Sequence, residues 1–160
     1  MLTPDEIIRT LELKPLPIEG GFYRETYRSR EQLGDGRALA TAIYYLLTPD
    51  TRSTIHRLKG DEVYHFYLGD AVEMILLYED GSSELVELGP NILEGQKLQY
   101  VVPAGVWQGA RLIKGGRWAL LGTTMAPGFD WNDYEQGERE HLVRLYPARR
   151  RLIGELSRPG

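Results

Sequence analysis

From residue 22 to residue 124 the hydrophobic positions fall in short blocks, alternating with polar residues or nearly continuous, and glycine, proline or aspartate closes each block. A period of two within short blocks is the signature of strands, and the closing residues are those that turns require. Segments 22–27, 38–47, 53–58, 62–68, 72–78, 83–88, 98–102, 107–113 and 117–124 therefore read as eight or nine strands, with tight turns at Lys59-Gly60-Asp61, Gly69-Asp70, Glu79-Asp80-Gly81 and Lys114-Gly115-Gly116. Segment 38–47 is apolar almost throughout and suits a strand covered on both faces. Before the strands, Thr3-Pro4-Asp5-Glu6 is a capping box followed by Ile7, Ile8 and Leu11 at helical spacing, which predicts a short helix ending near Leu13. Pro15 and Pro17 extend the chain into Glu19-Gly20-Gly21. After the strands, 138–146 and 148–156 have helical periodicity and are separated by Pro147, so two short helices should pack outside the sheets. Successive strands without intervening helices mean an antiparallel sandwich or barrel, and residues 1–160 suffice for one domain.

Composition narrows the chemistry. A net charge of −4 gives no electrostatic footprint for nucleic acid, and the Arg149-Arg150-Arg151 cluster reads as a solvated helix face. The absence of cysteine excludes disulfides, thiolate metal sites and cysteine nucleophiles. No apolar run reaches the roughly 18 residues of a membrane span, and the chain opens on a helix cap, so a soluble, unexported, cytoplasmic protein is expected. Two asparagines and five glutamines are few for this length, a depletion also found in thermophile proteins. Nucleophile elbows and phosphate-binding glycine loops are missing.

The densest chemistry lies between Ser53 and Gly69, which hold two of the three histidines and Glu62 in a β-prone setting. If the turn at Gly60 closes a hairpin, His56, Glu62 and His65 come close together. On a regular strand, however, His65 faces away from Glu62, because the two are an odd number of positions apart. The third histidine, His141, lies on the predicted outer helix.

His56, Glu62 and Gly69 fit the first motif of the cupin superfamily, with Leu58 where that motif has a second histidine. Pro103-Ala104-Gly105-Val106-Trp107-Gln108 resembles the second motif, with Gln108 in place of its histidine. A wider set of segments, Glu19 to Glu25, Thr41 to Leu47, Ser53 with His56 to Leu58, Asp61-Glu62 with His65-Phe66, Val102 to Gln108 and Ala126 to Asp130, is together similar to the DUF985 family, also called cupin_5. The resemblance implies an all-β double-stranded β-helix, a cupin or jelly-roll barrel with a short N-terminal helix, C-terminal helices and an internal pocket for a small molecule.

Three uses of that pocket are expected. The first is a divalent metal (Mn, Fe, Ni or Zn) on His56, Glu62 and Gln108. The second is acid–base catalysis in a sugar or nucleotide-sugar isomerase or epimerase. There His56 or His65 is the base, Glu62 supports it and a tyrosine is the acid, an arrangement that would resemble the dTDP-sugar 3,5-epimerases of the same superfamily. The third is ligand binding without turnover, with Glu19, Phe22, Tyr23, Glu25, Tyr45, Tyr67, Trp107 and Gln108 around the ligand and Arg24, Arg28, Arg52 or Arg57 available to an anionic group. Exchange of the strand 22–27 between copies would make a homodimer.

Overall fold

The computed structural model describes residues 1–158. Helix α1 (Pro4–Thr10) starts on the reciprocal Thr3–Glu6 capping box. Eleven strands follow: β1 (Lys14–Pro15), β2 (Phe22–Arg28), β3 (Thr41–Leu47), β4 (Ser53–Arg57), β5 (Glu62–Gly69), β6 (Val72–Leu77), β7 (Ser83–Leu88), β8 (Gln99–Val102), β9 (Trp107–Leu112), β10 (Ala119–Met125) and β11 (Glu135–Gln136). Helices α2 (Arg139–Leu145) and α3 (Arg150–Leu156) close the described chain. None of the described helices is long and apolar enough to cross a membrane.

The strands form two antiparallel sheets, one in the order β1-β2-β3-β10-β5-β8 and the other in the order β11-β4-β9-β6-β7. Both faces of each sheet carry apolar side chains, and each face has its own cover. Between the sheets lie Tyr45, Leu47, Tyr64, Met74, Leu76, Val102 and Leu121. On the outer face of the six-stranded sheet, Leu46, Trp118 and Leu120 pack under Ile7 and Leu13. On the outer face of the five-stranded sheet, Ile55, Ile75, Leu77 and Trp107 pack under Leu142, Tyr146, Ile153 and Leu156 of the C-terminal segment. Each such side chain contributes about 1.5–3 kcal/mol by leaving water. The continuous apolar character of β3 follows: Tyr45 and Leu47 face inward while Leu46 faces α1.

Two of the expected tight turns do not close hairpins. Strands β4 and β5 belong to different sheets, β4 pairing with β9 and β11 and β5 with β10 and β8. Strands β9 and β10 likewise separate at Lys114-Gly115-Gly116. A short glycine turn also serves a chain stepping from one sheet to the facing one, and sequence spacing does not distinguish the two geometries. The hairpin across Glu79-Asp80-Gly81 does form, with β6 and β7 paired over their full length and Gly81 at φ +87°. Two-residue strands β1 and β11 carry no periodicity and were not expected. The β2 edge, expected to exchange between copies, pairs with β1 only at Phe22 and Tyr23. Beyond that it holds a register shift between Glu25 and Tyr27 and the charged residues Arg24, Glu25 and Arg28, features that blunt an edge.

Candidate functional site

Alternation along the six-stranded sheet turns one row of side chains inward. Glu25 is opposite Ile43, Ile43 opposite Thr123 and Thr123 opposite Tyr64, and the adjoining row runs through Thr41, Met125 and Glu62. These residues line a cavity of about 310 Å³ between the sheets. Its buried lining includes Thr41, Tyr45, Leu58, Glu62, Tyr64, Thr123 and Met125, while the exposed Glu25, Arg28 and Trp131 stand with Phe129 and Asp130 at its mouth.

Glu19 reaches this cavity from a loop and not from a strand. In that loop Leu16 and Gly21 are joined by a backbone hydrogen bond of 2.9 Å, and the Glu19 carbonyl accepts from Thr54 N at 3.0 Å and Thr54 Oγ1 at 2.9 Å. The approach is so close that a Cβ on Gly20 would lie 2.3 Å from the Arg52 carbonyl oxygen, and one on Gly21 would lie 2.8 Å from the Tyr45 ring. Both glycines also have positive φ, +103° and +77°. Tyr45 Oη donates to the Gly20 carbonyl at 2.7 Å. Ile18, next to Glu19, sits at φ +68°, a left-handed conformation that costs a β-branched residue about 1–3 kcal/mol.

The Glu19 carboxylate accepts from Ser53 Oγ at 3.0 Å and lies 3.3 Å from His56 Nε2. His56 is buried, and its Nδ1 is 2.7 Å from the Thr54 carbonyl oxygen. A carbonyl only accepts, so Nδ1 carries a hydrogen. A neutral ring would then present its Nε2 lone pair to a carboxylate, so one further proton belongs between His56 and Glu19. The Tyr134 ring stacks on His56, with centroids 5.0 Å apart and planes 14° from parallel.

Glu62 stands in the opposite electrostatic setting. It is 7% exposed, and burial, reinforced by the Glu19 charge, raises its pKa above the ordinary carboxylate range. The His56 charge and hydrogen bonds from Gln108 and Thr123 act the other way and are outweighed. Gln108 Nε2 donates to Glu62 Oε1 at 3.0 Å, and Tyr64 Oη donates to Gln108 Oε1 at 2.9 Å. Burial holds both Tyr64 and Tyr45 far above the usual phenol range, so each stays a hydrogen-bond donor.

The expected residues thus divide. Glu19, Tyr23, Glu25, Tyr45 and Glu62 line the cavity, whereas His56 and Gln108 stand behind Glu19 and Glu62 as hydrogen-bond partners. Four do not reach it. His65 faces outward, bonded to Thr124 and Gln99, because odd spacing from Glu62 puts it on the other side of β5. Tyr67 is 47% exposed on the same outer face, edge-on to Tyr44. Phe22 packs under α1, and Trp107 packs under the C-terminal helices with the Arg57 guanidinium 4.4 Å over its ring.

Three of the four expected arginines have carboxylate partners. Arg24 meets Glu12, Arg57 is bidentate to Glu135, and Arg28 is bidentate to Glu25 at 2.8 and 2.9 Å while also donating to the Phe129 carbonyl. Of the four, only Arg28 lines the cavity.

A strap over residues 127–137 was not anticipated as part of the site. Gly128 and Phe129 bond back to Ala38 and Thr41, Asp133 is bidentate to Arg37, and Gly137 N donates to the Ile55 carbonyl. The aromatic spacing Phe129, Trp131, Tyr134 directly after Pro127-Gly128 was the available signal.

The expected metal set of His56, Glu62 and Gln108 does not assemble. His56 directs one ring nitrogen to a carbonyl and the other to Glu19, the Gln108 amide is committed to Tyr64 and Glu62, and Leu58 offers no donor. Among the described residues no group of three histidine or carboxylate side chains is arranged to hold a metal ion.

Comparison with known proteins agrees with this architecture. Residues 5–137 match the family model described as "Cupin superfamily (DUF985)". The uncharacterized protein YML079W of Saccharomyces cerevisiae is 30% identical over 146 residues, which cover 78% of this chain and 73% of that protein. Among solved structures, protein SO0799 of Shewanella oneidensis superposes with a TM-score of 0.94 at 34% identity over the whole of both chains. A hypothetical protein of Leishmania major superposes at 0.91 with 30% identity, over 99% of this chain and all of that one. A Bacillus subtilis oxalate decarboxylase matches at a TM-score of 0.58 and 17% identity over 91% of this chain and 38% of that one, a likeness of fold alone.

Proposed function

We propose that this chain, which belongs to the DUF985 family of the cupin superfamily, is an isomerase or epimerase that moves a proton within a small sugar-like molecule held in the cavity. One observation carries the reading: two glutamates line the same small cavity in different environments. Glu19 lies 3.3 Å from a His56 ring nitrogen and accepts from the Ser53 hydroxyl, whereas Glu62 is buried deeply enough that its pKa is raised in spite of the His56 charge and the Gln108 and Thr123 hydrogen bonds. Where surroundings separate two carboxyl groups in this way, the one whose pKa is raised serves as acid and the other as base.

In this scheme a Glu19 oxygen takes the proton from the carbon beside a carbonyl. The C–H electron pair becomes the enol double bond, and the carbonyl oxygen takes the Glu62 proton. Glu19 then gives this proton to the former carbonyl carbon while Glu62 takes the hydroxyl proton of the carbon first attacked, which moves the carbonyl by one position and restores both glutamates. His56 holds the charge of Glu19 in this reading and is not itself the base. Gln108, its amide oriented by Tyr64, leaves the second Glu62 oxygen to carry the proton.

The test is incubation of the protein in D₂O with ketoses and aldoses, read by NMR. Deuterium should enter beside the carbonyl of at least one compound, and Glu19→Gln and Glu62→Gln should each slow that entry by about 10²-fold or more. A bound compound that never exchanges would make the chain a ligand-binding module instead.

A further inference from the structure

Resting on that reading, we propose that the cavity takes an uncharged polyhydroxylated molecule of monosaccharide size and rejects phosphorylated and carboxylated forms of it. The first argument is the inventory of charge. Recognition of a phosphate or carboxylate calls for a free guanidinium, an ammonium or a cluster of unpaired backbone N–H groups. Arg28 is the cationic side chain among the lining residues, and its Nε and Nη2 are already engaged by both oxygens of Glu25 and by the Phe129 carbonyl, so its charge is paired. His56 is spent on Glu19. An anionic group in the interior would find no unpaired cation among the lining residues to offset its charge.

The same inventory disfavours an ammonium. Glu19 is matched by His56 and Ser53 and Glu25 by Arg28, while burial favours the neutral acid at Glu62. Asp130, at the mouth, makes no ion pair among the described residues but lies in the field of the Arg28 and Arg37 guanidiniums. What remains inside is polar and balanced: carboxyl oxygens and the Thr123 hydroxyl alongside the apolar Leu16, Ile43, Leu58 and Met125. Such a surface suits a ring with hydroxyls on its edges and hydrocarbon on its faces. The volume of about 310 Å³ lies at the bottom of the range for small-molecule sites, which suits one sugar ring and not a nucleotide-linked one.

The experiment is calorimetric titration of the wild-type protein with free hexoses and deoxyhexoses, their 1- and 6-phosphates and the corresponding hexosamines. At least one free sugar is expected to bind ten times more tightly than its own phosphate and its own amine. Equal or tighter binding of a phosphate or amine, or no binding across the panel, overturns the proposal. Glu25→Gln frees Arg28, so the ratio of phosphate to free-sugar affinity should rise at least tenfold, and an unchanged ratio also contradicts it. Deuterium exchange keeps the two readings apart. A phosphate-preferring cavity that still exchanges protons spares the acid–base reading, and a sugar-binding cavity that does not exchange spares this one.

Discussion

His56 Nε2 lies 3.3 Å from Glu19 Oε1 although the two residues are 37 positions apart in sequence, with β2 and β3 between them. Because Nδ1 is held by the Thr54 carbonyl, the pair is joined through a proton and behaves as a unit. His56→Ala leaves Glu19 without its cation and should cost about 3–5 kcal/mol, the usual penalty for breaking a buried pair. Glu19→Gln on that background should recover part of the loss, with a coupling of about 1 kcal/mol or more in a double-mutant cycle. Additive effects in denaturant unfolding would show that the two side chains act independently.

Glu62 makes stability depend on pH in a defined direction. Its folded pKa is raised above the ordinary 4.5, so between that value and the raised one the native state holds a proton that the unfolded chain has lost. The contribution is full below 4.5 and fades as pH rises through the folded value. Glu62→Gln keeps an acceptor for Gln108 and removes this dependence. The variant should therefore melt above the wild type at pH 8 and match it near pH 4, each kcal/mol corresponding to about 2–4 °C. A constant difference across that range would contradict the assignment.

Gly20 and Gly21 hold Glu19 in place by being small and by adopting positive φ. Gly20→Ala drives a methyl group to 2.3 Å from a backbone oxygen, which cannot yield as a flexible side chain can. It should lower stability by roughly 1–3 kcal/mol or more. Gly21→Ala collides with the Tyr45 ring and should be milder in stability while still displacing Glu19. Thermal melts and deuterium exchange measured on both variants check the order.

Arg37 and Asp133 fasten the strap over the cavity mouth. Arg37 holds the Asp133 carboxyl below its ordinary value of 3.8, so the stability this pair adds is present above that pH and is lost as pH falls below it. Arg37→Ala strands a buried carboxylate and should make residues 127–137 the first site of limited proteolysis at neutral pH. Cleavage elsewhere first would contradict the fastening role.

Much of the fold was legible in the residues. The period-two blocks gave the strands and the capping box gave α1. What could not be read was which strands share a sheet. The turn at Gly60 carries the chain from β4 to the opposite sheet, so His56 and Glu62 approach across the interior and not along a hairpin. The base proposed for the chemistry comes from a loop with no periodicity, where the sole signal was a glutamate before two glycines. Trp107 and Phe22 misled because both faces of each sheet are covered, so an aromatic on a strand had two apolar destinations.

The central claim is that burial holds the Glu62 carboxyl above the ordinary carboxylate range, and a ¹³C NMR titration of the glutamate carboxyl carbons measures it most directly. One resonance should titrate clearly above the ordinary glutamate value of 4.5 and vanish in Glu62→Gln. If every glutamate titrates in the ordinary range, or the elevated one survives that substitution, the acid–base account is contradicted.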